Sequence, residues 1–229
     1  VAARNHGSKT DPGGFYLKLD WFKDAKTAFR KLVPEKQAKI IDACIDEFAE
    51  EGFETASTNR IAERAGIAKG SIFKYFGTKE KMFFSVVNYI LEKYISAAKE
   101  KLPQMPKGVV ERYMAYMTDT MDLFGGDMKL YRAFSRIMSE RGGEMMTKIR
   151  EQWQPYVEPL MDELLTGTDF KSLSITKAEF ATLFSWIDNA IDQDVMAQIG
   201  PKTKAEDIKA MYSERLGLIY RVLKNGIYK

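Results

Sequence analysis

Residues 65–82 read AGIAKGSIFKYFGTKEKM. Gly66 and Gly77 punctuate the stretch, and lysines at 69, 74, 79 and 81 are interleaved with Phe73, Tyr75 and Phe76. The spacing predicts a short helix over about 68–75. A second short helix is predicted just upstream, over 57–65, with Ser57 capping a free backbone N–H and Ile61, Ala62 and Ala65 on its apolar side. Two short helices joined by a glycine-containing turn form a helix-turn-helix unit. Ala62 is small where the helices must cross, and Ile67 and Ile72 can plug the gap between them. In such a unit the second helix lies in the major groove of DNA.

Charge points the same way. From 57 to 81 the chain has six basic residues (Arg60, Arg64, Lys69, Lys74, Lys79, Lys81) against two acids, Glu63 and Glu80. The preceding segment is acidic, with Asp42, Asp46, Glu47, Glu50 and Glu51. Positive charge is thus gathered on the unit that would face phosphates. The alternative, a set of merely solvated lysines, holds for single residues better than for the whole arrangement.

Helical patterning extends both ways from this unit. Pro34 suits a first helical position. Ile40, Ile41, Cys44, Ile45 and Phe48 then recur at helical spacing up to Gly52. Thr78 can cap a long helix to about Lys101. Further helices are predicted at about 108–124, 128–141 and 143–165, separated by Gly125-Gly126 and Gly142-Gly143, with Pro155 and Pro159 starting, kinking or breaking the third. Thr176-x-x-Glu179 and Thr203-x-x-Glu206 have the form of capping boxes. They open helices to about Ile199, before Gly200-Pro201, and to about Asn225. The expected fold is all-α: a three-helix DNA-binding domain with a helix-turn-helix, then a larger helical domain. The expected boundaries are 1–32 for a basic, partly flexible extension, 33–77 for the DNA-binding domain and 78–229 for the rest. The extension has seven Lys/Arg against three Asp/Glu and reads either as an unstructured tail or as an arm touching nucleic acid.

Composition narrows the chemistry. In the 229 residues Cys44 is the only cysteine and His6 the only histidine. That removes intrachain disulfides, cysteine zinc sites and histidine-based triads or metal clusters. The apolar stripe makes Cys44 a core thiol. No Gly-rich phosphate loop accompanies these absences, so an enzyme is not expected, nor a metal or cofactor. No run approaches the roughly 18 apolar residues of a membrane span, and no apolar signal core opens the sequence. The expected location is the cytoplasm.

Gly52-Phe53 followed by STNRIAERAGIAKGSIFKYFGTKEKM resembles the DNA-binding domain of the TetR family of transcriptional regulators. The match covers about 45 residues: Gly-aromatic, Thr, Ile-Ala, Ala-Gly, Lys-Gly, an aromatic pair ending in Phe, then Thr-Lys-Glu. The resemblance implies that Thr58 meets phosphate or a base, and that Lys69 and Gly70 open the recognition helix close to DNA. It implies that Ser71, Phe73 and Lys74 face the groove, that Tyr75 gives a hydroxyl to phosphate, and that Lys79 binds the DNA backbone. Phe76 and Ile72 fall at core positions. Ser71 and Lys74 are the candidates for reading base edges, and Phe73 for packing on a thymine methyl. Two residues depart from the pattern. Ala68 stands where a Ser or Thr commonly caps the recognition helix, and Arg60 replaces a commonly acidic residue, leaving the capping box from Ser57 incomplete.

The resemblance further implies a small-molecule effector and a homodimer on double-stranded DNA. Two recognition helices about 34–36 Å apart would meet successive major grooves. Tyr113, Met117, Met121, Trp153, Phe184 and Trp186 are the candidate ligand residues, set in a region of adaptable side chains suited to a large apolar molecule. Asp188 and Asp192, four apart, read as a site for a cationic ligand or as faces toward a partner subunit or water. Leu216, Ile219, Tyr220 and Leu223 are the candidate dimer stripe, with burial within their own subunit as the alternative. The expected activity is repression relieved by effector, the alternatives being a ligand-dependent activator or an architectural DNA binder.

Overall fold

The computed structural model describes residues 23–125, 127–139, 144–200 and 203–226. The expectations for residues 1–22, Gly126, Gly142-Gly143 and Pro201 lie outside these. Among the described residues there are ten α-helices, two short 3-10 turns and no strand. The helices are α1 (Thr27–Arg30), α2 (Pro34–Thr55), α3 (Thr58–Ala65), α4 (Lys69–Phe76) and α5 (Lys79–Lys101), then α6 (Val109–Gly125), α7 (Met128–Ser139), α8 (Glu144–Leu164), α9 (Lys177–Gln198) and α10 (Ala205–Gly226).

The caps explain most of the boundaries. Pro34 opens α2, and Gly52, at φ 74°, breaks its helical path one turn before Thr55. Ser57 accepts from the Arg60 N–H at 3.4 Å and Thr78 from the Lys81 N–H at 3.1 Å, starting α3 and α5. Thr176 and Glu179 close their capping box reciprocally. Two expectations fail here. Helix α8 runs unbroken through Pro155 and Pro159. The Thr203–Glu206 box is not made. Instead Thr203 accepts from Gly200 N–H at 2.8 Å, and Asp207 accepts from Lys204 N–H at 3.0 Å, one step further on.

The first four helices pack around Phe29, Phe48, Ile61, Ile72 and Phe76, each buried. Phe29 stacks obliquely on Phe76, ring centroids 4.9 Å apart, and edge-on to Tyr75 at 6.0 Å. The packed unit therefore begins at Ala25 and includes α1, before the expected boundary at 33. The signal was weak because α1 is a single turn.

Helix α5 leaves this unit and enters the larger domain, where Val86, Val87, Ile90 and Leu91 are buried. Arg112 on α6 donates to carbonyls of Leu102, Met105, Pro106 and Leu164, tying the α5–α6 turn to the end of α8. The two domains also meet along α2 and α7. There Lys129 lies between Asp42 (2.7 Å) and Asp46 (2.8 Å), and Arg136 donates to the Glu51 carbonyl at 3.4 Å.

Candidate nucleic-acid interface

The turn between α3 and α4 depends on Gly66, whose φ of 66° is left-handed. That conformation lets Gly66 N–H reach the Glu63 carbonyl and Ile67 N–H the Ala62 carbonyl, both at 3.0 Å. The chain then reverses into α4, which is strongly two-faced. Ile72, Tyr75 and Phe76 are buried, whereas Lys69, Gly70, Phe73 and Lys74 are exposed and Ser71 half-exposed. Phe73 is 46% exposed, unusual for an aromatic with no partner to cover it. A Cβ added at Gly70 would meet nothing within 4 Å, so the backbone there is open to close approach. Ala68 makes no side-chain cap, as its methyl requires.

The departure at Arg60 has a structural answer. The Glu47 carboxylate on α2, fully buried, accepts the Ser57 N–H at 2.7 Å, the bond a glutamate at position 60 would have made. Arg60 in turn grips Glu47, with Nε at 2.9 and 3.0 Å and Nη2 at 2.6 Å. Arg64 pairs with Glu50 at 2.5 Å and lies 3.8 Å from Glu47. Burial alone would raise the Glu47 pKa, but bonds from Arg60 and Ser57 and the two guanidinium charges hold it below the usual carboxylate value. Arg60 and Arg64, counted in the sequence as part of the basic surface, are thus occupied in holding α3 to the acidic α2.

The exposed face of α4 resembles a helix ready to enter a groove, and the comparisons agree. Residues 40–86 match the model of a family described as bacterial regulatory proteins, tetR family. The chain is 27% identical over 166 residues to the fatty acid metabolism regulator protein of Bacillus subtilis (strain 168), covering 70% of this chain and 84% of that protein. Residues 40–86 are a DNA-binding segment of the tetR type. A second relative, the nucleoid occlusion factor SlmA of Haemophilus ducreyi, is 33% identical over 76 residues, only 31% of this chain and 38% of that protein. In fold the chain is similar to FadR from Bacillus subtilis in complex with stearoyl-CoA, with a TM-score of 0.63 and 22% identity over 80% of this chain and 96% of that one.

Lys69, Gly70, Ser71, Phe73 and Lys74 are brought together on one face of α4. Thr58 is half-buried at the first turn of α3. Two others stand apart. Tyr75 belongs to the buried face, 8% exposed. Lys79 Nζ donates to the Glu54 carbonyl at 2.9 Å and sits 5.1 Å from the Phe53 ring centroid. Two lysines that sequence reasoning missed border the unit. Lys26 Nζ donates to the Phe73 carbonyl at 3.2 Å, and Lys39 Nζ would lie 3.3 Å from a Cβ at Gly66. Their distance along the chain from α4 hid them.

In the larger domain, Tyr113, Met117, Met121 and Phe184 are buried, the Tyr113 and Phe184 rings 3.6 Å apart at their centroids. Trp153 is half-buried and stacked on Phe134. Trp186 is 67% exposed, so it cannot line an interior ligand site. A polar groove of about 600 Å³ runs between the domains past Thr78, Lys81, Phe84, Lys148 and Gln152, and a gap of about 10 Å³ lies between Tyr94 and Tyr116. Neither is lined by the six predicted ligand residues. Asp188 is half-buried, and its Oδ1 is buried with no hydrogen-bond partner among the described residues, as are Tyr113 Oη and Trp153 Nε1. Burial, then the nearby Asp192 charge, pushes the Asp188 carboxyl well above its ordinary pKa, while Asp192 accepts from the Tyr212 hydroxyl. Burial likewise raises the Cys44 thiol, consistent with an inert core residue.

The predicted dimer stripe is mostly spent within the subunit. Leu216 and Leu223 are buried, and the Tyr220 hydroxyl donates to Glu111 on α6 at 3.2 Å, with Ile219 half-buried beside it. A side chain already covered has no further apolar area to bury. The exposed apolar residues of α9 and α10 are instead Trp186, Leu218 (55% exposed) and Val222 (63% exposed).

Proposed function

We propose that this regulator is a repressor which binds an inverted-repeat operator as a homodimer and releases it on taking up a long-chain acyl thioester. The observation that carries this reading is the length of the likeness to the fatty acid metabolism regulator. At 84% of that protein, the alignment extends well beyond the 47 residues of the DNA-binding match. In this reading residues 78–229 bind ligand and dimerise, and Lys69, Ser71, Phe73 and Lys74 meet DNA. The buried aromatic and methionine side chains of α6 and α9 supply apolar, deformable surface for an acyl chain. Tyr113 and Trp153 each offer a buried polar hydrogen without a partner, suited to a carbonyl oxygen. Trp186, Leu218 and Val222 supply the apolar centre of a subunit interface.

The test is operator release. Duplexes are selected from random DNA at near-physiological salt, and the recovered site is titrated with protein in the presence of stearoyl-CoA, stearate or free CoA. Recovery of an inverted repeat, with release by stearoyl-CoA alone, is the expected result. Retained binding at saturating stearoyl-CoA sinks the effector assignment, and recovery of no consensus sinks the operator assignment.

A further inference from the structure

The recognition helix is held at its C-terminal end by the segment before α2. Lys26 N–H donates to the Tyr75 carbonyl at 2.7 Å, and Lys26 Nζ to the Phe73 carbonyl at 3.2 Å. Both acceptors belong to the last turn of α4, where carbonyls run short of helical partners; Phe73 also accepts the Gly77 N–H at 3.0 Å. Gly77, at φ 82°, makes room: a Cβ there would meet Lys26 Cε at 2.9 Å. Phe29, fully buried, fills the space behind Tyr75 and Phe76, and Gln37 donates to the Phe29 and Arg30 carbonyls, both at 3.1 Å, closing α1. Residues 24–31 are therefore a clasp on the recognition helix.

The clasp has a second attachment, to the larger domain. Asn88 on α5 is 1% exposed and uses both ends of its amide. Its Nδ2 donates to Asp24 Oδ2 at 3.3 Å, and its Oδ1 accepts from Gln152 Nε2 on α8. A buried amide that loses one partner must turn to find another or bear the cost of an unmade bond. Withdrawal of Gln152 would thus free Asn88 to turn, and so loosen Asp24 two residues before Lys26.

We propose that Lys26 and its clasp are positioning residues for the recognition helix, set from the regulatory domain through Gln152, Asn88 and Asp24. The relay couples the register of α8 to the aim of Phe73 and Lys74, whatever molecule moves α8. It does not depend on the acyl thioester assignment.

The experiment is amide hydrogen exchange on the full chain, without effector, for wild type, Asp24→Ala and Gln152→Leu. Gln152 lies on α8, away from the DNA-facing helices, and leucine keeps its bulk. Loss of one hydrogen bond should raise exchange of residues 24–31 and 73–77 about three- to tenfold in both variants, with α9 and α10 unchanged. The affinity of both variants for a selected operator should fall with it. Unchanged exchange at 24–31 in Gln152→Leu overturns the relay, even if Asp24→Ala responds. A uniform rise across all helices in Gln152→Leu also overturns it, because that is general destabilisation.

Discussion

Replacing Glu47 tests the account of the DNA-binding unit most directly. Glu47→Ala removes the acceptor of the part-buried Ser57 N–H, and an unsatisfied buried donor costs about 1–3 kcal/mol. It also deletes one buried methylene group, worth about 0.8 kcal/mol. Arg60 is 46% exposed on its side chain and can turn to Glu51, 3.4 Å away, so its own loss is small. The sum is about 2–4 kcal/mol, a thirtyfold or greater rise in amide exchange across 57–66. Glu47→Gln keeps an acceptor for Ser57 and should cost about 1–2 kcal/mol. The pH dependence has a definite sign. The folded Glu47 pKa lies below the unfolded value of about 4.3. Its contribution is therefore complete above that value and is lost as pH falls through the folded pKa. The gap between wild type and Glu47→Gln should stay constant near neutrality and close below about pH 4. Wild-type exchange at 57–66 in Glu47→Ala would refute the reasoning, as would a gap that persists into acid.

Lys69→Ala should weaken binding to all duplexes alike and reduce the salt slope by about one, read by fluorescence anisotropy across salt concentrations. Lys74→Ala should instead relax discrimination among operators, seen as a broadened consensus on reselection; an equal loss for every duplex would make it a phosphate contact. Ala68→Ser should stabilise the recognition helix by about 1 kcal/mol through the missing cap, measured by urea denaturation. Leu218→Asp with Val222→Asp should yield folded monomers in sedimentation, while Leu216→Ala should lose about 2–5 kcal/mol of stability and keep its oligomeric state.

Local signals explain what the sequence could reveal. Caps at Ser57, Thr78 and Thr176 act within three residues, so element starts were legible, and the two-faced pattern of α4 separated Phe73 from Phe76. Pairings at long separation were not. Nothing near Arg60 reveals that Glu47, thirteen residues away, takes over the missing capping bond. Clasp residue Lys26 is 47 residues from the carbonyl it meets. Helical periodicity found the apolar residues of α10 but not which of them its own α6 would cover, so Leu216 and Leu223 stood open between a dimer stripe and burial in their own subunit, and Leu218 and Val222 were passed over. Pro155 and Pro159 neither start nor break α8, which continues through both.

The seam between α2 and α7 makes one helix answer to two masters. Asp42, Asp46 and the Glu51 carbonyl hold the larger domain through Lys129 and Arg136, while Glu47, Glu50 and Glu51 hold α3 through Arg60 and Arg64. These charges are mostly in contact with solvent, and their pairs, at 2.5–3.4 Å, lie inside the screening length of about 10 Å at 0.1 M, so they weaken only as salt rises above that. Salt therefore enters this protein by two doors. It strips lysines from phosphate, as in any DNA-binding protein, and it slackens the ionic hinge that keeps the two halves in step. Under the proposed function, effector sensitivity and operator affinity should consequently fade along different salt curves, and a repression assay run at one ionic strength would mistake one for the other.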